Sequence, residues 1–226
     1  MIRRVEDGFI VNINKPVDWT SFDVVKKIRN IVQIKKVGHA GTLDPFATGV
    51  LLICIGKATK LVSKFMDLDK EYVAELVLGK TTDTLDVTGE VVEEAEIPEI
   101  SDEDIFQVFQ KYTGAIRQRV PDFSAAKVDG KRMYEMARNG EEIPEKYKPV
   151  KIYDLQLLHR EADRLIFRTR CSRGTYVRTL GYDIAYELGT LGYLENLTRT
   201  KIGEYSISDA LDIEEFESAW KKRFAL

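Results

Sequence analysis

The sixteen residues Lys36–Leu51, KVGHAGTLDPFATGVL, form the stretch that decides the fold of this 226-residue chain. They place three glycines and one carboxylate, that of Asp44, ahead of an apolar run at 50–55. Because glycine lacks a Cβ atom, it lets the backbone turn tightly or approach a ligand closely. Pro45 fixes its own φ and favours an extended conformation for Asp44. The pattern therefore predicts an acid presented on a tight loop in front of a buried strand.

This loop allows two interpretations. Asp-Pro and glycine-rich segments are common in turns, where the Asp side chain only caps its own backbone. The stretch Gly38–Leu51, however, resembles the catalytic loop of the TruB family, the tRNA pseudouridine-55 synthases. It matches the family pattern Gly-His-x-Gly-x-Leu-Asp-Pro-x-Ala-Thr-Gly-Val-Leu at every specified position. The resemblance covers about residues 8–210 and implies isomerisation of a uridine in the T-loop of tRNA.

Pseudouridine formation detaches uracil from ribose, rotates it and rejoins it through carbon 5, which requires a nucleophile and a proton-accepting base. The resemblance implies that Asp44 is the nucleophile; whether it attacks the base or the ribose stays open. The segment 70–72, Lys-Glu-Tyr, matches a family Lys-x-Tyr element whose tyrosine stacks on the target base and is a candidate proton acceptor. From its own context, Tyr72 is equally well a core aromatic residue.

The stretch Ser172–Leu180, SRGTYVRTL, resembles a further family element, Ser-x-Gly-Thr-Tyr-x-Arg-Thr-Leu. The arginine of that element pairs with the catalytic carboxylate in the family. The resemblance therefore implies that Arg178 keeps Asp44 ionised and oriented. By itself, Arg178 is also an ordinary arginine at the start of a helix. The implied catalytic residues are Asp44, Tyr72 and Arg178.

Substrate recognition requires the target base to leave its stack, and aromatic stacking in the protein offsets part of that cost, about 1–3 kcal/mol per base. The resemblance implies that His39 contacts the T-loop and fills space beside the flipped base without transferring protons. Residues 15–21 resemble an N-terminal family signature with Asp18 at a glycine position, and we expect them to support the loop. The residues implied to contact the substrate are His39, Tyr72, Tyr176 and Leu197.

Residues 115–145 correspond to an insertion that binds the T-loop in bacterial members of the family. Its first part departs from the family pattern, since Val120 replaces a proline and Phe123 a tyrosine. The segment is nevertheless basic enough to hold phosphates. Surface Lys and Arg side chains are, on the other hand, usually only solvated. The residues predicted to bind RNA are Arg119, Lys127, Lys131 and Arg132.

The net charge of −3 argues against a nucleic-acid partner only if charge is evenly distributed. Residues 81–104 contain ten acids and no Lys or Arg, so the rest of the chain carries +7. Three of those acids, at 102–104, begin a predicted helix, where the positive end of the helix dipole favours them. They have a structural explanation, and we assign them no chemistry.

The apolar periodicity predicts an α+β protein, a pseudouridine synthase fold with a central, mostly antiparallel or mixed sheet flanked by helices. Thr20 or Ser21 is predicted to cap the first helix, with Asp23 completing a capping box. The predicted strands cover 9–14, 50–55, 71–78, 89–93, 150–158, 165–172 and 201–207. The predicted helices cover 22–33, 58–66, 131–139, 175–188 and 212–224, with another that begins at 101.

The chain is expected to form a single catalytic domain, 1–226, with the insertion at 115–145 and no C-terminal PUA-type domain. Its apolar runs are too short to span a membrane, and its N-terminus lacks the apolar core of a secretion signal. The scattered Cys54 and Cys171 fit core positions of a reduced, cytoplasmic protein, and they show no zinc spacing. We therefore expect no metal, and we expect no cofactor because the implied isomerisation involves no net redox change and no group donor.

The expected partner is the T-stem-loop of tRNA, bound by a monomer that needs no other protein. The nearest alternative is a pseudouridine synthase that modifies another RNA uridine. An alternative of a different class is a non-catalytic tRNA-binding or chaperone module. The presence of Asp44, Tyr72 and Arg178 favours the enzyme over that module.

Overall fold

The computed structural model describes residues 1–5 and 8–224. The strands are β1 (Ile2–Val5), β2 (Gly8–Lys15), β3 (Val37–Ala40), β4 (Thr48–Gly56), β5 (Lys70–Leu78), β6 (Lys80–Thr82), β7 (Val91–Glu94), β8 (Gly114–Arg119), β9 (Lys127–Val128), β10 (Lys131–Arg132), β11 (Tyr147–Arg160), β12 (Arg164–Cys171), β13 (Gly192–Ile202) and β14 (Tyr205–Ser206). The helices are α1 (Ser21–Val32), α2 (Val62–Met66), α3 (Asp102–Tyr112), α4 (Met133–Arg138), α5 (Val177–Glu187) and α6 (Ile213–Phe224), with short 3₁₀ helices at Lys57–Leu61 and Ile207–Asp209.

The chain forms two compact units. The first contains Met1–Val73 and Leu197–Leu226, and the second contains Ala74–Asn196. Strands β5 and β13 each begin in one unit and end in the other. The expectation of a single domain with an insertion and no PUA-type domain stays a prediction.

Strand β4 is the centre of the first unit. In this unit the strand order is β1-β2-β4-β13, and β3 pairs with the same strand β4. Residues 50–55 are completely buried because β4 is covered on both faces. On one face Leu51, Ile53 and Ile55 pack with α1 and α6, and on the other Leu52 and Cys54 pack with Phe65.

The sheet of the first unit is mixed. Strand β2 runs antiparallel to β4, whereas β13 runs parallel to it, with Thr198 opposite Thr48 and Arg199 opposite Gly49. Strand β3 is antiparallel to β4 and places His39 opposite Ile53. The glycine-rich loop therefore runs from the end of β3 to the start of β4, the end of β4 at which β13 is paired.

The second unit contains strands in the order β5-β12-β11-β8. Strand β11 is antiparallel to both β12 and β8. Helix α3 packs on β11 and on α5, and the rings of Phe109 and Phe167 meet edge to face with their centroids 6.0 Å apart. Two short hairpins, β6–β7 and β9–β10, complete the unit.

Local sequence signals account for the starts of α1 and α3. Thr20 accepts a hydrogen bond from the Asp23 amide, and the Asp23 side chain reaches back to the Thr20 amide, as the predicted capping box requires. Ser101 and Asp104 form a second capping box at α3. The α+β class, with a large mixed sheet flanked by helices, is confirmed. Among the described residues, no helix is both long and apolar enough to cross a membrane.

Two predicted elements are wrong in detail. The predicted strand at 201–207 is interrupted, because Gly203, with φ +53°, turns the chain between β13 and β14. The long strand β13 was not predicted. The predicted helix at 131–139 begins only at Met133, because Lys131–Arg132 pair with β9 in a hairpin.

Candidate active site

The loop that carries Asp44 is held in place by a serine hydroxyl. Ser21 is buried at the first position of α1. Its Oγ accepts a hydrogen bond from the Leu43 amide at 2.9 Å and lies 3.2 Å from the Leu43 carbonyl oxygen, to which it donates. The helix start therefore fixes both backbone polar groups of the residue that precedes Asp44.

Lys15 holds the other side of the loop. Its side chain is completely buried, and Nζ donates to the carbonyl oxygens of Pro16 at 2.8 Å, Trp19 at 2.6 Å and Pro45 at 3.0 Å. Burial lowers the pKa of Lys15 to about 8, although the nearby Asp44 carboxylate favours the charged form. The ammonium thus ties the residue after Asp44 to the N-terminal segment.

The backbone conformation of Asp18 explains why the family pattern has a glycine at this position. Its φ of +63° lies in the left-handed region, which glycine adopts without strain and Asp more readily than most residues. In this conformation its amide donates to the Pro45 carbonyl oxygen at 2.9 Å. Residues 15–21 thus support the loop, as expected from the sequence.

Arg199 is a further support that the sequence analysis missed. This residue of β13 is 1% exposed, and its guanidinium donates from Nε to the Val50 carbonyl oxygen at 2.7 Å and from Nη2 to that of Gly41 at 3.0 Å. A Cβ atom at Gly49 would lie 2.3 Å from the Arg199 carbonyl oxygen. The last glycine of the loop motif is therefore needed for close backbone packing. The arginine in the stretch 194–203 was the sequence signal for this support.

His39 lies on β3, at the start of the same loop. Its Nε2 is 3.2 Å from Thr42 Oγ1. Burial lowers the pKa of His39, and the nearby charge of Arg199 lowers it further. The imidazole is therefore neutral near pH 7 and is able to hydrogen-bond but not to form an ion pair. Its predicted contact with the T-loop stays a prediction.

The first unit also contains the predicted residues Asp44, Tyr72 and Leu197. Asp44 is partly exposed between two anchored neighbours. Tyr72 lies near the start of β5, and Leu197 lies on β13 two residues before Arg199; both side chains are buried. Burial of these two side chains suits either a core position or a base pocket, so the roles of all three residues stay predictions.

The second unit contains Arg178, which is fixed by a buried acid. Its Nη1 lies 3.4 Å from Asp86 Oδ2 and donates to the Thr84 carbonyl oxygen at 2.5 Å, and Nη2 donates to the Phe123 carbonyl oxygen at 2.9 Å. Both partners of the ion pair are about 3% exposed. The expected pairing of Arg178 with Asp44 stays a prediction.

Asp86 is the second functional candidate that the sequence analysis missed. Its Oδ1 accepts hydrogen bonds from Thr84 Oγ1 at 2.9 Å, from the Thr88 amide at 3.0 Å and from Thr88 Oγ1 at 2.5 Å. In the sequence, Asp86 is one of the ten acids of 81–104. A carboxylate between two threonines, in the run TTDTLDVT at 81–88, was the available signal for a buried and hydrogen-bonded acid.

Tyr176 immediately precedes α5, and Gln118 fixes its backbone. The Tyr176 amide donates to Gln118 Oε1 at 2.8 Å, and Gln118 Nε2 donates to the Tyr176 carbonyl oxygen at 3.0 Å. Gln118 is buried on β8. The two bonds fix the backbone from which the Tyr176 ring projects, while its role in a base pocket stays a prediction.

The predicted RNA-binding residues differ in how far nearby acids neutralise their charge. Arg119 lies 3.3 Å from Asp122 and 3.8 Å from Glu145, and Lys131 lies 2.9 Å from Glu141, so acids partly neutralise both. Arg132 lies over the Tyr134 ring at 5.8 Å, and Lys127 is exposed. Their contacts with RNA stay predictions. Within residues 1–5 and 8–224, no cluster of three or more His, Cys, Asp or Glu side chains could hold a metal ion.

Comparisons with known proteins identify the family. The family model described as TruB family pseudouridylate synthase (N terminal domain) matches residues 29–177. A tRNA pseudouridine synthase B of Clostridioides difficile is 43% identical over 216 residues, which are 95% of this chain and 72% of the relative. One from Parabacteroides distasonis is 44% identical over 216 residues, which are 93% of this chain and 92% of the relative.

Solved structures confirm the expected fold. A chain of a Cbf5-Nop10-Gar1 complex superposes with a TM-score of 0.73 at 28% identity, and a chain of an H/ACA RNP bound to a substrate RNA containing 2'-deoxyuridine superposes with 0.71 at 26%. Each superposition covers 97% of this chain and 56% of the other chain. On the family model and the sequence identities together, the chain belongs to the TruB family of pseudouridylate synthases.

Proposed function

We propose that this chain converts a uridine of tRNA to pseudouridine, with the T-loop uridine at position 55 as its target. Relatives at 43–44% identity carry the name tRNA pseudouridine synthase B, which supports tRNA as the substrate. The observation that carries the proposal is the anchored loop. Ser21, Lys15 and Arg199 hold the backbone on both sides of Asp44, while its carboxylate stays partly exposed.

The proposed chemistry uses Asp44 as a nucleophile. During the reaction the bond between the ribose carbon and base nitrogen 1 breaks, and a bond from the ribose carbon to carbon 5 forms. A proton leaves carbon 5 and nitrogen 1 gains one, so nothing is oxidised or reduced and no cofactor is required. A carboxylate suits this sequence, because it can add covalently and leave again. The anchored backbone limits the motion of Asp44 and so keeps it oriented for attack.

Arg178 and Tyr72 have the supporting catalytic roles. Asp86 holds the guanidinium of Arg178 in one orientation, and a fixed, planar guanidinium is suited to binding an anionic group. We propose that this group is the carboxylate of Asp44. Tyr72 stacks on the flipped base and accepts the proton from carbon 5. His39, Tyr176 and Leu197 complete the pocket around the base.

Recognition of the RNA is assigned to the basic insertion. Lys127 and Arg132 are the stronger candidates for phosphate contacts, because acids partly neutralise Arg119 and Lys131. We propose further that the chain acts in the cytoplasm as a monomer without an obligatory protein partner. Light scattering on the purified chain, alone and with tRNA, tests the oligomeric state, and a stable dimer would contradict it.

Two experiments test the function. Pseudouridine mapping compares RNA from cells with and without the gene, and the expected result is loss of pseudouridine at one T-loop uridine of tRNA. Purified protein should then restore that pseudouridine in unmodified tRNA. Loss at a uridine of another RNA would favour the alternative substrate, and no conversion of any uridine would favour the non-catalytic module.

A further inference from the structure

Lys148 and Gln118 hold Tyr176 from two neighbouring strands. They lie opposite each other in the pairing of β11 with β8, so their side chains lie on the same face of the sheet. Gln118 binds the backbone of Tyr176, as described above, and Lys148 Nζ lies 3.7 Å from the centroid of the Tyr176 ring. The ammonium group thus covers the ring that is proposed to line the base pocket.

The surroundings of Lys148 are unfavourable for its positive charge. The residue is half-buried, and burial together with the neighbouring charge of Lys146 lowers the pKa of Lys148 to about 8. In the described part of the chain, no carboxylate forms an ion pair with Lys148, in contrast to Arg119 and Lys131. A partly desolvated cation without an anion is unfavourable, and the face of the tyrosine ring compensates only part of that cost.

Gly174 leaves room beside this ammonium group. It is exposed, and a Cβ atom at this position would lie 3.3 Å from Lys148 Nζ. A side chain there would push the ammonium group by a few tenths of an ångström, and the φ of +84° at this position also favours glycine. The arrangement combines a desolvated cation, an aromatic ring that is proposed to line the base pocket and a glycine that preserves access.

We propose that Lys148 binds a backbone phosphate of the substrate RNA beside the flipped nucleotide. This assignment rests on the proposed function. RNA carries one phosphate for each nucleotide. The phosphates that flank a base held against Tyr176 are therefore the anions that the substrate brings closest to Lys148. A phosphate contact supplies the negative charge that the protein itself does not provide, and it orients the backbone of the target nucleotide.

Salt-dependent binding tests this assignment. The affinity of the protein for a T-stem-loop RNA is measured at several salt concentrations, for the wild type and for Lys148→Met and Lys148→Arg. The control is Lys221→Met, which removes a lysine that is paired with Glu217 on α6. Lys148→Met should weaken binding about tenfold and reduce the slope of log affinity against log salt by about 1. Lys148→Arg should keep the slope, and Lys221→Met should change neither quantity.

A second arm locates the phosphate. Single linkages of the RNA are replaced, one at a time, by an uncharged methylphosphonate on a 2'-deoxy sugar. At one linkage the replacement should weaken binding to the wild type but not to Lys148→Met, because both changes remove the same contact.

The proposal fails if Lys148→Met binds RNA like the wild type and only its unfolding temperature changes. In that case Lys148 merely covers the Tyr176 ring. Thermal unfolding of each variant shows whether it is folded, and we expect Lys148→Met to be no less stable, since it loses an unpaired cation. The conversion of uridine by the wild type is measured in the same preparation. Absence of that conversion would refute the proposed function, whereas normal conversion with unchanged Lys148→Met binding would refute only the assignment of Lys148.

Discussion

Each of the two units contains buried cations beside candidate functional residues, but these cations are compensated in different ways. In the first unit, Lys15 and Arg199 donate to neutral backbone carbonyl groups around the loop of Asp44. In the second unit, Arg178 faces the buried carboxylate of Asp86. The first arrangement fixes the shape of a backbone segment, and the carbonyl groups do not neutralise the charges of Lys15 and Arg199. The second fixes the direction of one guanidinium and neutralises much of its charge.

The two arrangements serve different purposes, since one holds a loop and the other orients a side chain. Holding a loop requires several donors for the backbone oxygens, which ammonium and guanidinium groups provide at once. Orienting the guanidinium of Arg178 uses a carboxylate, because a charge-assisted hydrogen bond is stronger than one to a neutral carbonyl group. Substitutions in the two regions should therefore have different consequences for stability and for activity.

The largest effect on stability is expected where the loop packs against β13. Gly49→Ala forces a Cβ atom to within 2.3 Å of the Arg199 carbonyl oxygen. The matched control is Gly114→Ala, since Gly114 has φ +109° against +100° for Gly49 but no atom within 4 Å of its Cβ position. Urea unfolding should show that Gly49→Ala lowers the free energy of unfolding by about 3 kcal/mol more than the control does. Equal losses would mean that only the backbone angle matters.

A slightly smaller effect is expected for the ion pair of the second unit. Asp86→Asn leaves the charge of Arg178 buried without its acid. We expect the free energy of unfolding to fall by about 3 kcal/mol, which is no more than the fall expected for Gly49→Ala. Turnover should fall about 100-fold because the guanidinium loses its orientation. The control is Asp83→Asn in the same turn, whose exposed carboxylate caps the Glu90 amide. Wild-type turnover in Asp86→Asn would refute the positioning role.

Lys15→Met should cost less than Asp86→Asn. It removes hydrogen bonds to three carbonyl oxygens but leaves no unpaired charge, so we expect a loss of about 2 kcal/mol. Urea unfolding measures this loss, and Lys27→Met on the exposed face of α1 is the control. A larger loss for Lys15→Met than for Asp86→Asn would contradict the comparison between the two regions.

The smallest effect is expected for the hydroxyl that anchors Leu43. Ser21→Ala removes one hydroxyl from the amide and carbonyl of Leu43, which should cost about 1 kcal/mol. The turnover number should fall more than the affinity for tRNA, because the loop becomes less fixed while the RNA-binding surface is unchanged. Ser63→Ala, on the exposed side of α2, provides the control. An effect on affinity alone would argue against the loop as the origin.

The sequence predicted the elements whose signals are local. The capping box at Thr20, the start of a helix at 101 and the buried strand at 50–55 depend on neighbouring residues only. Strand β13 was missed because its burial depends on pairing with β4, which lies about 150 residues earlier in the chain. Such long-range pairing leaves no periodic signal of its own.

The candidate site was predictable where the motif itself carries the chemistry. Asp44 follows from the loop pattern, whereas Arg199 and Asp86 act on positions far from them in sequence, at Gly41 and at Arg178. Without the fold, a buried arginine and an acid in an acidic stretch look like surface residues. The contacts that make them supports exist only after the chain has folded.

The most direct test of the central claim is the substitution Asp44→Asn in single-turnover assays with tRNA, with binding measured on the same protein. The account predicts loss of pseudouridine formation by at least about 1000-fold, with affinity for tRNA within about threefold of wild type. Asp18→Asn is the matched control, because Asn also tolerates a positive φ, and it should retain turnover. Turnover of Asp44→Asn near the wild-type rate would contradict the account.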